Sequence, residues 1–190
     1  MITRIKNLCF ISLLVGGFWF VAQGSYIHIK AQLAQFLLET AWSKTSQGND
    51  PIKPWPWADT WPVARLAVPA LDINHIVLAG ANGATLAFGP GRLFNNQSNA
   101  IILSGHRDTH FDFLDELKIG ELIRYELPGQ PIQSFKVFAT QIINTEEINT
   151  IPSSIISGLI LITCYPFDTL QIGGPLRYLV YAEPSPAITI

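Results

Sequence analysis

Cysteine and charge are both scarce in this sequence, and each shortage excludes a class of protein. Only 14% of the 190 residues are charged, with 12 Lys and Arg against 14 Asp and Glu. Beyond residue 60 seven cations face eleven acids, so the body of the chain lacks the basic footprint that nucleic-acid binding needs. The two cysteines lie far apart, Cys9 in an apolar N-terminal run and Cys164 in the body, which excludes a disulfide scaffold. No repeat is present and no acidic cluster argues for calcium. What is abundant is apolar: 48% of the residues, enough for a core, predicting one domain with an accessory segment.

The accessory segment is N-terminal. Arg4 and Lys6 are followed by no charged residue until Lys30. The apolar stretch Leu8 to Ala22, extended by Gln23 to Ile29, exceeds the roughly 20 residues that a bilayer core requires. Cations ahead of it place the N-terminus in the cytoplasm and the remainder outside. Ala22-Gln23-Gly24 resembles a cleavage site, so a cleavable signal peptide competes with an uncleaved anchor. Helical spacing that continues through Ile29, Leu33, Phe36 and Leu37 favours the anchor. Residues 43–62, with four prolines and three tryptophans, read as a linker. The expected division is therefore a signal anchor over 1–29, an amphipathic helix and Pro/Trp-rich linker over 30–60, a domain over 61–185 and a tail over 186–190.

From Val63 seven short β-type runs alternate with turn residues: VARLAV, HIVLAG, NAIILSGH, ELIRYEL, QSFKVFATQII, GLILITC and RYLVYAE. With only FDFLDELK suggesting a helical turn, they predict an all-β fold, a closed antiparallel barrel or a sandwich. Cys164 closes one of these runs, at the exit of a strand and not within it. A thiol acts as a nucleophile when a base or a positive field makes it a thiolate. Of the three histidines in the body, His75, His106 and His110, His106 stands out because it ends an apolar run as Cys164 does. Two such strands ending at one rim bring imidazole and thiol together, while His75 is expected to begin a strand at the surface. Arg177 begins the strand after the Cys164 loop, and its fork of donors suits a developing oxyanion. Asp108 and Asp168 are further candidates for orienting these groups, with loop solvation as the alternative.

Gly105-His106, then Leu161-Ile162-Thr163-Cys164, then Arg177 one loop later, resemble the sortases, which are cysteine transpeptidases. GHRDTHFDFL, TCYPFD and GGPLRY resemble more narrowly the Gram-negative, marine proteobacterial branch called class GN. The likeness runs from about Val63 to Glu183 and includes LAFGPG. It implies a closed eight-stranded β-barrel with short helical turns, Cys164 as nucleophile, His106 as general acid/base, Arg177 as electropositive partner and Thr163 in support. Many sortases carry Thr-Leu-x-Thr-Cys, and here Ile160 replaces the first Thr, which bears on substrate packing.

The resemblance further implies a single-pass protein of the cytoplasmic (inner) membrane with a periplasmic catalytic domain and no cofactor. Its partner would be a substrate protein with a C-terminal sorting signal of Leu-Pro-x-Thr-Gly type, whose acyl group passes through a thioacyl-enzyme to an amine acceptor. Hydrolysis of the same intermediate is the nearest alternative, and a tethered β-domain that binds a partner without chemistry is another. A zinc site of His106, His110 and Cys164 is disfavoured because the run before His106 is β-like and no Glu follows it. A papain-type hydrolase is disfavoured because there Cys precedes His. The chain is not read as a sorted substrate, because VYAEPSPAITI has neither motif, span nor basic tail.

Overall fold

The computed structural model describes residues 2–48, 50–94, 99–147, 157–169 and 173–186. Its contacts divide the chain into two units, Met1–Leu37 and Leu38–Ile190. Helix α1 covers Ile2–Ser46 and contains no proline. It stops where Gly48 takes a φ of 87° and its N–H returns to the Thr45 carbonyl at 3.2 Å, a turn that glycine enters without steric cost. The stretch Phe10–Ser46 is long and apolar enough to cross a membrane. Its large apolar side chains from Phe10 to Phe36 are exposed.

The second unit holds eight strands: β1 (Pro62–Val68), β2 (Ile73–Ala79), β3 (Gly91–Leu93), β4 (Asn99–Ser104), β5 (Leu122–Glu126), β6 (Gln133–Asn144), β7 (Ser157–Cys164) and β8 (Leu176–Ser185). They close into a barrel in the order β1-β2-β3-β4-β7-β8-β6-β5. Short helical pieces interrupt them: a single turn α2 (Gly83–Leu86), capped by the Asn82 side chain, and 3-10 turns at Pro69–Leu71 and Asp112–Asp115. The closed eight-stranded barrel matches the expectation, but the pairing is mixed and not antiparallel throughout. β2 runs parallel to β3, and β4 runs parallel to β7. β3 escaped the sequence reading because it is three residues long and begins at Gly91, where a Cβ would lie only 2.1 Å from the Gly80 carbonyl oxygen.

Inside and outside follow the strand period of two. β1 alternates strictly, with Ala64, Leu66 and Val68 in the core. Leu103, Leu159, Leu161, Val180 and Ala182 join them inside the barrel, beside Phe111, Ile123 and Tyr125. β7 breaks the alternation: six consecutive residues from Gly158 to Thr163 are buried, so GLILITC is apolar on both faces. Its outward residues Ile160 and Ile162 form a second cluster with Ile102 of β4, Leu179 and Tyr181 of β8 and Ile143 of β6. A third cluster joins the end of α1 to the barrel within the same unit. Leu38 and Trp42 pack on Ile76 and Leu78 of β2, and Glu39 accepts a 2.6 Å hydrogen bond from Arg65.

Candidate active site

Strand registers bring the three principal candidates to one rim. The parallel β4/β7 ladder ends at Ser104 opposite Ile162. The Gly105 N–H then donates to the Ile162 carbonyl at 3.2 Å, and the buried Thr163 hydroxyl donates to the Gly105 carbonyl at 2.8 Å. His106 and Cys164 each stand two residues beyond that last pair, so they leave the ladder at the same level. On the other side of β7, Cys164 lies directly opposite Arg177 of β8, which in turn faces Ile143 of β6. Cys164 and Arg177 are half-buried and His106 is exposed. Thiol, imidazole and guanidinium on three neighbouring strands are the groups that acyl transfer through a thioester uses.

The Gly-His pair has a local reason. Gly105 passes over the Phe111 ring so closely that a Cβ there would meet it at 2.7 Å. Phe111 is fully buried, and its N–H closes a tight turn on the His106 carbonyl at 2.9 Å. The Cys164 side is braced by aromatic rings: Tyr165 stacks on Tyr178 at 6.2 Å, and Phe167 meets Tyr178 edge-on at 5.2 Å. The Tyr165 N–H continues the β7/β8 pairing to the Leu176 carbonyl at 3.1 Å. Arg177 directs its Nη1 at the Gly174 and Leu176 carbonyls, at 2.6 and 2.8 Å.

The secondary candidates fall differently. Asp108 accepts a hydrogen bond from Arg107 Nε at 3.0 Å. Asp168 is exposed in the loop after Cys164, and residues 170–172 of that loop lie outside the described residues. His75 is not a surface residue. It is half-buried at the start of β2, with its ring 5.7 Å from His110 and 6.1 Å from Phe113. Its Nε2 is buried without a hydrogen-bond partner. Burial is the main cause that holds both His75 and His110 below the usual histidine range. Among the described residues, no three His, Cys, Asp or Glu side chains are grouped to hold a metal ion. The sequence reading missed Arg107, whose guanidinium is buried and reaches the loop beyond Cys164. An arginine next to a candidate histidine was the available signal, and its burial was not readable from composition.

One strip of the outer wall leads to this rim. On β7 the side chains that share the outward face of Cys164 are Ile160 and Ile162, and across the sheet Ile102, Leu179, Tyr181 and Ile143 lie on the same face. All six side chains are buried, at 0–8% exposure, so this face is a second apolar layer beneath the rim and not an open surface. Ile160 lies within this strip, between Ile102 and Tyr181.

The comparisons with known proteins agree with this architecture. The Sortase domain family matches residues 66–185. Sortase D of Bacillus subtilis (strain 168) is 30% identical over 128 residues, which cover 62% of this chain and 61% of that protein. The chain thus spans about three fifths of the length of that curated relative. Among solved structures, sortase A from Corynebacterium diphtheriae superposes with a TM-score of 0.57 at 20% identity, covering 80% of this chain and 84% of the other. A Clostridium perfringens sortase D5 transpeptidase gives 0.58 at 15% identity, covering 81% and 99%. Sortase C-3 from Streptococcus pneumoniae gives 0.56 at 24% identity, covering 82% and 83%. At these identities the structures share the fold, while the family match extends over more than half of the sequence: the chain belongs to the sortase family.

Proposed function

We propose that this protein is a membrane-anchored cysteine transpeptidase that cleaves a sorting motif of Leu-Pro-x-Thr-Gly type and transfers the acyl group to an amine. The observation that carries this reading is the convergence of Cys164, His106 and Arg177 at one rim, where the β4/β7 and β7/β8 registers end. An extended peptide that crosses this rim presents its scissile carbonyl to Cys164 and its alternate side chains to the flanking loops. The Cys164 thiolate attacks the scissile carbonyl carbon, and the carbon–sulfur bond forms as the carbonyl becomes an oxyanion. Arg177 and backbone N–H groups stabilise that charge. His106 as imidazolium gives its proton to the departing amine, leaving a thioacyl-enzyme, and then takes a proton from the incoming amine that resolves it. Ile160, where many sortases have threonine, is 2% exposed and packs between Ile102 and Tyr181, so it acts on substrate packing from beneath the site and not by touching the peptide.

The cations at Arg4 and Lys6 before a helix long enough to span a bilayer support a cytoplasmic N-terminus and a catalytic domain on the far side. The motifs GHRDTHFDFL, TCYPFD and GGPLRY support membership of the Gram-negative class GN branch, which puts the enzyme in the inner membrane with its active site in the periplasm. Its partner is a substrate protein that carries the sorting signal.

The test is intact mass. The full chain in detergent, with Cys9→Ser so that Cys164 is the remaining thiol, is mixed with a library of Leu-Pro-x-Thr-Gly-like peptides. The expected result is an acyl adduct on Cys164 that passes to an added amine and is absent in Cys164→Ala. An adduct released only by water makes the protein a hydrolase. No adduct from any peptide, with the fold intact, returns it to a binding role.

A further inference from the structure

We infer that Arg107 is a positioning residue, a guanidinium clamp that ties the His106 loop to the loop leaving Cys164 and so fixes the approach of imidazole to thiol. The proposal rests on the reading of His106 and Cys164 as the reacting pair. Its starting point is where the regular structure stops. The β4/β7 ladder ends at Ser104 and Ile162, and the two bonds at Gly105 and Thr163 extend it by one residue on each strand. Beyond them both chains become loops, and the histidine and the cysteine sit at that junction. Two loops joined only at their roots leave their tips free to separate, and a misplacement of about 1 Å between reacting groups can cost about 100-fold in rate.

Arg107 spans that gap. Its Nη1 donates to the Pro166 carbonyl at 2.6 Å and its Nη2 to the Thr169 carbonyl at 3.0 Å, while Nε donates to Asp108 at 3.0 Å. The two accepting carbonyls lie two and five residues after Cys164, and the donor is the residue directly after His106. The side chain is only 7% exposed, which is rare for arginine and is sustained here by acceptors on its fork. Asp108 is 68% exposed, so the ion pair itself contributes little to stability. By accepting from Nε, Asp108 orients the guanidinium plane so that both Nη groups face the opposite loop. A planar fork that engages two separate carbonyls is a geometry that a lysine ammonium does not reproduce.

The test needs no peptide. In the full chain in detergent, alkylation of Cys164 by iodoacetamide is followed by peptide mass spectrometry in the parent, His106→Ala, Arg107→Gln and the double variant. In the parent, His106→Ala changes the Cys164 rate by about tenfold, because the thiolate fraction depends on a cation close by. In the Arg107→Gln background the same substitution changes it by less than about twofold, a non-additivity that a merely structural arginine would not produce. Equal effects of His106→Ala in both backgrounds overturn the proposal, as does a parent in which His106→Ala changes nothing. If Arg107→Gln does not fold by circular dichroism, Arg107→Lys carries the test, since it keeps the charge and the stem. Coupling reduced in the lysine variant supports the clamp, and coupling equal to the parent's overturns it. Failure of the transpeptidase reading is separately visible, as coupled alkylation in a parent that forms no acyl adduct.

Discussion

At Gly105 the backbone of the His106 loop lies against the buried ring of Phe111, and even a methyl group would sit 2.7 Å from that ring. Gly105→Ala is therefore expected to destabilise the barrel by about 1–3 kcal/mol as the loop moves off the ring, and to slow acylation of Cys164 more than Thr109→Ala does. Chemical denaturation together with the acylation assay checks this, and an unchanged midpoint would show that the loop yields freely. The histidines beneath this loop make stability depend on pH. Burial lowers both His75 and His110; each feels a neighbouring histidine, His110 and His106 respectively, and Asp112 opposes the shift in both. In the unfolded chain both titrate near the ordinary histidine value of about 6.5. Between that value and the lower folded one the unfolded state binds more protons, so stability falls as the pH falls through this window and does not change above it. Melting temperature measured from about pH 7.5 to about pH 5 should decline, and His75→Phe should flatten part of the decline. An unaltered slope in that variant would remove His75 from the account. Cys164 and His106 were legible as candidates because each ends an apolar run, whereas Arg107 and the His75–His110 contact join residues distant in sequence.

Among the elements, the end of helix α1 belongs with the barrel, since the contact unit begins at Leu38. Leu38 and Trp42 are nearly fully buried against Ile76 and Leu78, and the Arg65 guanidinium lies 5.8 Å from the Trp42 ring centre while bonding Glu39. A chain that starts at Trp61 loses this cover and is expected to be less stable by about 3 kcal/mol or more than one that starts at Leu38, from the removal of one buried tryptophan alone. That difference corresponds to a lower melting temperature by about 6 °C or more. Equal melting temperatures would mean that the helix end is dispensable. Helical spacing predicted apolar residues through Leu37, but not which strand they would cover. The strands show the same limit: seven of eight were visible as apolar runs, yet the parallel pairing of β4 with β7, on which the site depends, was not. A strand's period reports which face is buried and says nothing of its neighbour.

For the molecule as a whole, a span-length apolar helix is joined to a barrel with a half-buried thiol at its rim. Anchored this way, the full chain should remain with membranes through high salt and alkaline carbonate, while a chain from Leu38 is released. Recovery of the full chain in the soluble fraction would count against an uncleaved anchor. The sequence by itself determined the class of fold, the apolar N-terminal helix and which thiol, imidazole and guanidinium are the candidates, because periodicity, run length and motif order are local properties of the chain. Tertiary structure alone decided that β4 and β7 lie side by side, that Ile160 faces outward between Ile102 and Tyr181, and that Arg107 bridges two loops some sixty residues apart. Those facts depend on which strands close the barrel, and closure is settled by the summed packing of residues remote in sequence and not by any one segment.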